Sequence, residues 1–324
     1  MEVRIGQKED MSEKHQIMPL LVGEQLVEED VTSVQAFLNK FCILKASSKV
    51  LCNQEIRSVG PNGLLYVGQR EIGGTSPSDN VISVLGSEDA TTCHIVVLQH
   101  SGSRSSCIGH FDGCNSKQGL ETMLELVMKL SKDTPEGQLN LHLIGGFDDV
   151  KGFSHSLSLE LLNMLRSFKQ NIHLQTACIA EINTRLVNGV PFPIVYGVGV
   201  DIKSGEIYKA TFLNKGPDLP LRGARNFTGT KEMIIIYDPM TQLMSIHPFS
   251  YQQMSNVDYW CNASDLTLRQ NLSTSPAQEP NDFATRTREC LQQIRDHPDP
   301  LLTMFKYGKA RCYKKELSGI WTLM

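Results

Sequence analysis

The sequence predicts an α+β fold of mixed, mostly antiparallel sheets with helices on one side. Short β-branched runs recur, and Gly, Ser and Asp-Pro turn signals join them into hairpins. Amphipathic helical stretches are interspersed with these runs without the strict alternation of a βαβ chain. Hairpins also outnumber the long crossovers that a parallel doubly wound sheet requires.

In chain order, residues 1–17 are polar and charged and are expected to be disordered. Residues 28–45 carry Val31, Val34, Leu38, Phe41 and Leu44 at spacings of three and four, which predicts an amphipathic helix. Pro61-Asn62-Gly63 is a turn into a strand over 64–68. A Ser/Pro/Asp loop over 75–80 precedes a strand over 81–85 and then a hairpin over 91–111. Leu and Met at helical spacing predict a core-facing helix over 120–132. A strand over 139–144 ends at Gly145-Gly146, read as strand and turn glycines. A second amphipathic helix follows over 153–169, then a strand over 173–182. Two more hairpins turn at Lys203-Ser204-Gly205 and at Asp238-Pro239-Met240-Thr241. A polar loop over 270–280, a helix over 283–295 and closing strands over 309–322 complete the chain. With no fixed-period repeat and no linker, residues 18–324 read as a single domain.

Composition narrows the function class. A chain of 324 residues with 40% hydrophobic and 20% charged content is a soluble globular protein with room for a large core. A net charge of −4 argues against a surface that reads phosphates. No apolar run approaches the roughly 18 residues that cross a bilayer, and the start lacks the apolar centre of a signal peptide. Nine cysteines without a CxxC pair suit reduced thiols better than a disulfide framework. The expected location is the cytoplasm, with a nuclear pool left open. The N-x-S/T triplets at Asn226, Asn262 and Asn271 are then expected to stay unmodified.

The stretch 81–113, VISVLGSEDATTCHIVVLQHSGSRSSCIGHFDG, organises the rest. With Ser101-Gly102 as a two-residue loop, or 100–103 as a symmetric four-residue one, Cys93 falls directly opposite His110. Opposed residues share a face, with Cβ atoms roughly 4.5–5.5 Å apart, and a one-residue slip would separate them. A thiol beside an imidazole is the arrangement of nucleophilic cysteine catalysis: the ring takes the thiol proton and later protonates the leaving amine. A third polar group orients the ring, and Ser87, six residues before Cys93, is close enough in the chain to do so. Against this stands the reading of Cys93 as a small core hydrophobe with a packed histidine across from it.

The segments VGPNGLLYV (59–67), LGSEDATTCHIVVL (85–98) and NLSTSP (271–276) resemble the protein N-terminal asparagine amidohydrolases, enzymes that convert an exposed N-terminal Asn to Asp. The resemblance runs from Met18 to near the C-terminus, so the 17 residues before Met18 depart from the usual start. It implies a cysteine hydrolase on an α-β-β sandwich shared with toxin and chemotaxis deamidases. The family's nucleophile falls on Cys93, its histidine on His110 and its serine on Ser87. A monomer acting on peptides or proteins without a cofactor, nucleic acid or membrane is expected, and the resemblance implies a product that feeds ubiquitin-dependent degradation. Reading the substrate ammonium calls for a carboxylate, and Asp89, Asp112 and Glu181 are the candidates.

Two other classes remain on the sequence: another cysteine amide hydrolase or peptidase, and a non-catalytic zinc-binding interaction protein. Cys93, Cys107, His110 and Cys114 would supply the zinc ligands. Strand alternation opposes that set, because Cys107 points away from the face shared by Cys93 and His110. His94 and His100 lie on that other face and read as structural, so no metal is expected.

Overall fold

The computed structural model describes residues 20–227, 229, 231–251 and 254–324; the expectation for residues 1–17 falls outside them. An eight-stranded mixed sheet forms the centre. Its middle strand, His94–His100, pairs antiparallel with Ser106–Phe111 on one side and Leu139–Gly145 on the other. Leu139–Gly145 then takes Ile172–Cys178 in parallel, which takes Leu20–Val22 in parallel.

The middle strand is apolar almost throughout because both its faces are covered. Val96 and Leu98 pack with Leu141 and Leu143 against the helices Ser116–Leu130 and Phe153–Arg166. Ile95 and Val97, with Ile108 and Ile144, pack the opposite way against Leu65, Leu85, Val198 and Val200. Those partners belong to a second, five-stranded sheet ordered Arg57–Val59, Ile207–Phe212, Val198–Asp201, Val84–Ser87 and Leu64–Tyr66. A helix layer and two sheets are therefore stacked around two cores, and the strand Ser106–Phe111 looks across the gap between the sheets.

The structure departs from the sequence expectation in several places. The helix expected over 28–45 is two, Val34–Lys40 and Cys42–Asn53, with Phe41 between them buried against the Phe37 ring at 5.0 Å. The strand expected over 173–182 stops at Cys178 and continues as a 3-10 turn, Ala180–Asn183. Not all helices share one side either. Leu219–Ala224, Val257–Asn262, Asp265–Leu272 and Phe283–Asp296 gather away from the helix layer, the last three around their own small core of Cys261, Leu268, Ala284 and Leu291. The three short ones bury too few residues to give a periodic signal, whereas Phe283–Asp296 was legible. Among the described residues no helix is long and apolar enough to cross a membrane.

Candidate active site

Between the two sheets, the buried Ser87 at the end of Val84–Ser87 meets the buried His110 of Ser106–Phe111. Ser87 Oγ and His110 Nδ1 share a hydrogen bond of 2.9 Å. Each side chain sits on the inward face of its own strand, so the contact depends on how the sheets stack.

Cys93 lies one residue before the middle strand begins, at the end of the bend that follows Glu88-Asp89. The hairpin register differs from the expected one by two residues. Ile95, not Cys93, is directly opposite His110, and His94 is opposite Phe111. The connection is the four-residue loop 101–104, closed by the His100 N–H to Ser105 O bond (2.9 Å) and the Arg104 N–H to His100 O bond (2.8 Å). An even shift preserves alternation, so Cys93 and His110 keep a common face and line the same cavity. Cys107 turns into the helix-side core with Val96 and Leu98, as the alternation requires, and pairs with Leu98. His94 points the same way, its Nε2 2.7 Å from Ser158 Oγ.

The Cys93 backbone is pinned by its neighbour strand. Its carbonyl accepts from the Gly146 N–H at 2.8 Å. Gly145, at φ +115, leaves no room for a side chain there, because a Cβ would lie 2.7 Å from that carbonyl oxygen. A second tie comes from the late loop, where Thr274 Oγ1 is 2.7 Å from Thr92 Oγ1.

The cavity has a volume of about 470 Å³ and is lined by Cys93, His110, Thr92, Thr274 and a set of charged groups. Burial pushes the Cys93 thiol well up, with the Asp112 and Glu279 charges adding to it and Arg70 opposing. Burial likewise pulls the His110 imidazole down, against the pull of Asp112 and Asp89. Both shifts favour the neutral forms of a thiol and a ring that line one cavity, which suits proton transfer during attack better than a standing ion pair.

The candidate carboxylates divide. Asp89 lines the cavity with Lys215 Nζ at 2.7 Å and Arg286 at 2.6 Å; burial would raise its carboxyl, but the two cations hold it below the usual range. Asp112 also lines it, taking Gln69 at 2.6 Å, Arg70 at 2.7 Å and the Cys114 N–H at 2.9 Å. Burial is again outweighed, and Asp112 is held low. Glu181 is exposed on the 3-10 turn and is not among the lining residues.

Sequence reasoning missed Glu279, Lys215, Arg286 and the pair Glu71–Arg222, all of which line the cavity. Only Glu279 had a signal near it, the NLSTSP segment that opens its loop. Arg222 is buried and reaches Glu71 Oε2 at 2.5 Å and the Tyr66 carbonyl at 2.9 Å. Burial would raise the Glu71 carboxyl, yet Arg222 keeps it below its usual value. Arg222→Leu is expected to destabilise the fold by about 3–5 kcal/mol, since it strands a buried charge. Urea unfolding measures this, and Glu71→Gln added to Arg222→Leu should restore part of the loss.

Comparison with known proteins adds to this geometry. The profile of the family described as protein N-terminal asparagine amidohydrolase matches residues 54–323. A relative of that name from Homo sapiens is 42% identical over 278 residues, covering 86% of this chain and 89% of its own. One from Mus musculus is 40% identical over 304 residues, covering 94% and 97%. One from Arabidopsis thaliana is 26% identical over 284 residues, covering 79% and 80%.

Proposed function

Because the chain belongs to the protein N-terminal asparagine amidohydrolase family, we propose that it hydrolyses the side-chain amide of an N-terminal Asn through Cys93, His110 and Ser87. The observation that carries the residue assignment is the buried Ser87–His110 hydrogen bond opening onto the cavity that also holds Cys93. A ring tethered at Nδ1 leaves Nε2 for a proton transfer. The stacked helix, sheet and sheet layers fit an α-β-β sandwich of the toxin and chemotaxis deamidase type, and we assign the fold to it.

With Nδ1–H donated to Ser87 Oγ, His110 Nε2 takes the Cys93 proton as the sulfur attacks the amide carbon. A carbon–sulfur bond forms, the carbonyl becomes an oxyanion, and the ring then protonates the nitrogen as the carbon–nitrogen bond breaks. Ammonia leaves and a thioester remains. Water, deprotonated by the same ring, cleaves the thioester to give N-terminal Asp and the free thiol. We assign the oxyanion donors to backbone N–H groups near Cys93 or His94, where the strand begins. One such donor is worth about 2.7–4 kcal/mol. The site residues supply nucleophile, base and orienting group themselves, so the scheme calls on no cofactor. A pocket fitted to Asn rejects Gln by one methylene, about 1–3 kcal/mol. We place the product in the degradation route that reads destabilising N-termini and ends in ubiquitin conjugation, in the cytoplasm.

Peptides starting with Asn, Gln and Asp test the reading. The Asn peptide should release ammonia with its backbone intact, the Gln peptide should react about 10–200-fold more slowly, and the Asp peptide should release none. Backbone cleavage would instead mark a peptidase. Ser87→Ala should lower kcat by about 10–100-fold through loss of ring orientation, with KM little changed; an unaltered kcat would remove Ser87 from the site.

A further inference from the structure

Away from the cavity, two thiols from distant parts of the chain meet. Cys52 stands in the last turn of the helix Cys42–Asn53, and Cys178 ends the central-sheet strand Ile172–Cys178. Their sulfurs are 3.4 Å apart, within hydrogen-bond reach of each other. Cys178 is buried, whereas Cys52 is only half-buried. Cys52 Sγ also lies 3.6 Å from the Ile182 carbonyl oxygen, and Cys178 Sγ lies 3.8 Å from Asn183 Oδ1. Lys209 brings a cation beside them, its Nζ donating to the Cys52 carbonyl at 2.8 Å. Neither cysteine lines the cavity, and the proposed deamidation uses neither.

We propose that Cys52 and Cys178 are a dithiol that a hydroperoxide closes reversibly into a disulfide, and that the closed form disturbs the seat of Cys93. The Cys52 thiolate attacks one peroxide oxygen. A sulfur–oxygen bond forms as the oxygen–oxygen bond breaks, and with hydrogen peroxide the leaving hydroxide takes the thiol proton and departs as water. The Cys178 sulfur then attacks the sulfur of the sulfenic acid, and the displaced hydroxide leaves as water with the Cys178 proton. The two thiols have lost two electrons and two protons, and one peroxide has become two waters.

The pair is asymmetric. The hydrogen bond from Cys178 holds the Cys52 thiol below its ordinary value, with burial opposing and Lys209 adding. The same bond pushes Cys178 well up, with burial and the Cys52 charge adding and Lys209 opposing. The more open sulfur is therefore the one that attacks, and the buried sulfur is the one that resolves. Burial raises Cys93, Cys107 and Cys290 instead, so peroxide meets a smaller thiolate fraction at each of them. A route to the active site runs through Asn183. Its buried side chain donates to the Gly146 carbonyl at 2.8 Å and accepts from the Val195 N–H at 2.8 Å. Gly146 in turn holds the Cys93 carbonyl. Drawing the sulfurs to covalent distance moves Cys178 relative to Asn183 and to the turn Ala180–Asn183 that follows it.

The test has two readings. Hydrogen peroxide is applied first to the Cys93→Ala protein, so that the proposed nucleophile takes no part. Digestion without reductant and mass spectrometry should then find Cys52 joined to Cys178, and dithiothreitol should separate them. Turnover of an Asn-initiated peptide is next measured with the unaltered protein, reduced, oxidised and reduced again. Oxidation should lower kcat by about tenfold to a hundredfold, and dithiothreitol should restore it. Cys52→Ser, equally oxidised, should keep its rate; if it does not fold, Cys178→Ala takes its place. Absence of the cross-link, a cross-link that leaves kcat unchanged, or an equal fall in the variant overturns the inference. Turnover by the reduced protein separates failure here from failure of the deamidase reading. Should that turnover be absent, the rate of Cys93 alkylation by iodoacetamide, oxidised against reduced, replaces kcat and decides in the same way.

Discussion

A Cys93→Ala protein is expected to bind an Asn-initiated peptide and to lose at least about ten-thousandfold in kcat. The size follows from the chemistry proposed, since every covalent step runs through the sulfur. Of the other thiols, Cys107 lies in the helix-side core, Cys114 is not among the lining residues, and Cys290 lines the cavity from the helix Phe283–Asp296 with its sulfur close against Gly223. The substitution removes one atom from a half-buried position and fills no space, so the fold should hold, as circular dichroism and unfolding curves would verify. Ammonia release measured with a coupled assay gives the answer, and full turnover by Cys93→Ala would end the assignment.

His110→Ala is expected to lower kcat by about a hundredfold to ten-thousandfold, the range of a lost general base and acid. The pH profile gives a second, independent reading. Burial holds the His110 pKa below the ordinary imidazole value, and a general base works only when neutral. In the intact protein kcat, which reports the peptide-bound form, should therefore survive as pH falls past the usual imidazole range, then drop as pH passes the lower folded value. In His110→Ala that acid limb should vanish, and added imidazole should restore part of the rate. A limb that persists in His110→Ala would have to come from another group, such as Glu279, whose carboxyl is pushed up to about 7. The profile of Glu279→Gln tells the two apart.

Most of the secondary structure around the site was legible because it is local. The strands His94–His100 and Leu139–Gly145 carry continuous or alternating apolar runs, and Ser116–Leu130 and Phe153–Arg166 carry helical spacing. The hairpin Val198–Asp201 with Ile207–Phe212 formed where its turn residues placed it, with Val200 opposite Ile207. Alternation by itself set the common face of Cys93 and His110, and it sent Cys107 and His94 the other way. That inference survives a register error of two residues because side-chain direction repeats every second residue.

The register itself was not local. Ser101 exchanges hydrogen bonds with Gln138, and a Cβ on Gly102 would meet the Glu136 carbonyl at 1.9 Å. The neighbouring turn therefore holds the loop at 101–104, a contact no turn propensity contains. The charge pairing was beyond reach for the same reason. Asp89 and Arg286 are 197 positions apart, and Glu71 and Arg222 are 151 apart. Which carboxylates are neutralised by cations depends on such distant encounters.

What the sequence by itself determined was the family, the candidate thiol, imidazole and hydroxyl, and the face that two of them share. Motif identity and strand period are properties of neighbouring residues. Only the tertiary structure decided the pairing register, the meeting of Ser87 with His110 across two sheets, and the late loop that brings Glu279 to the cavity. Each of those is a distance between segments far apart in the chain, fixed by how layers pack and by where buried charges find partners.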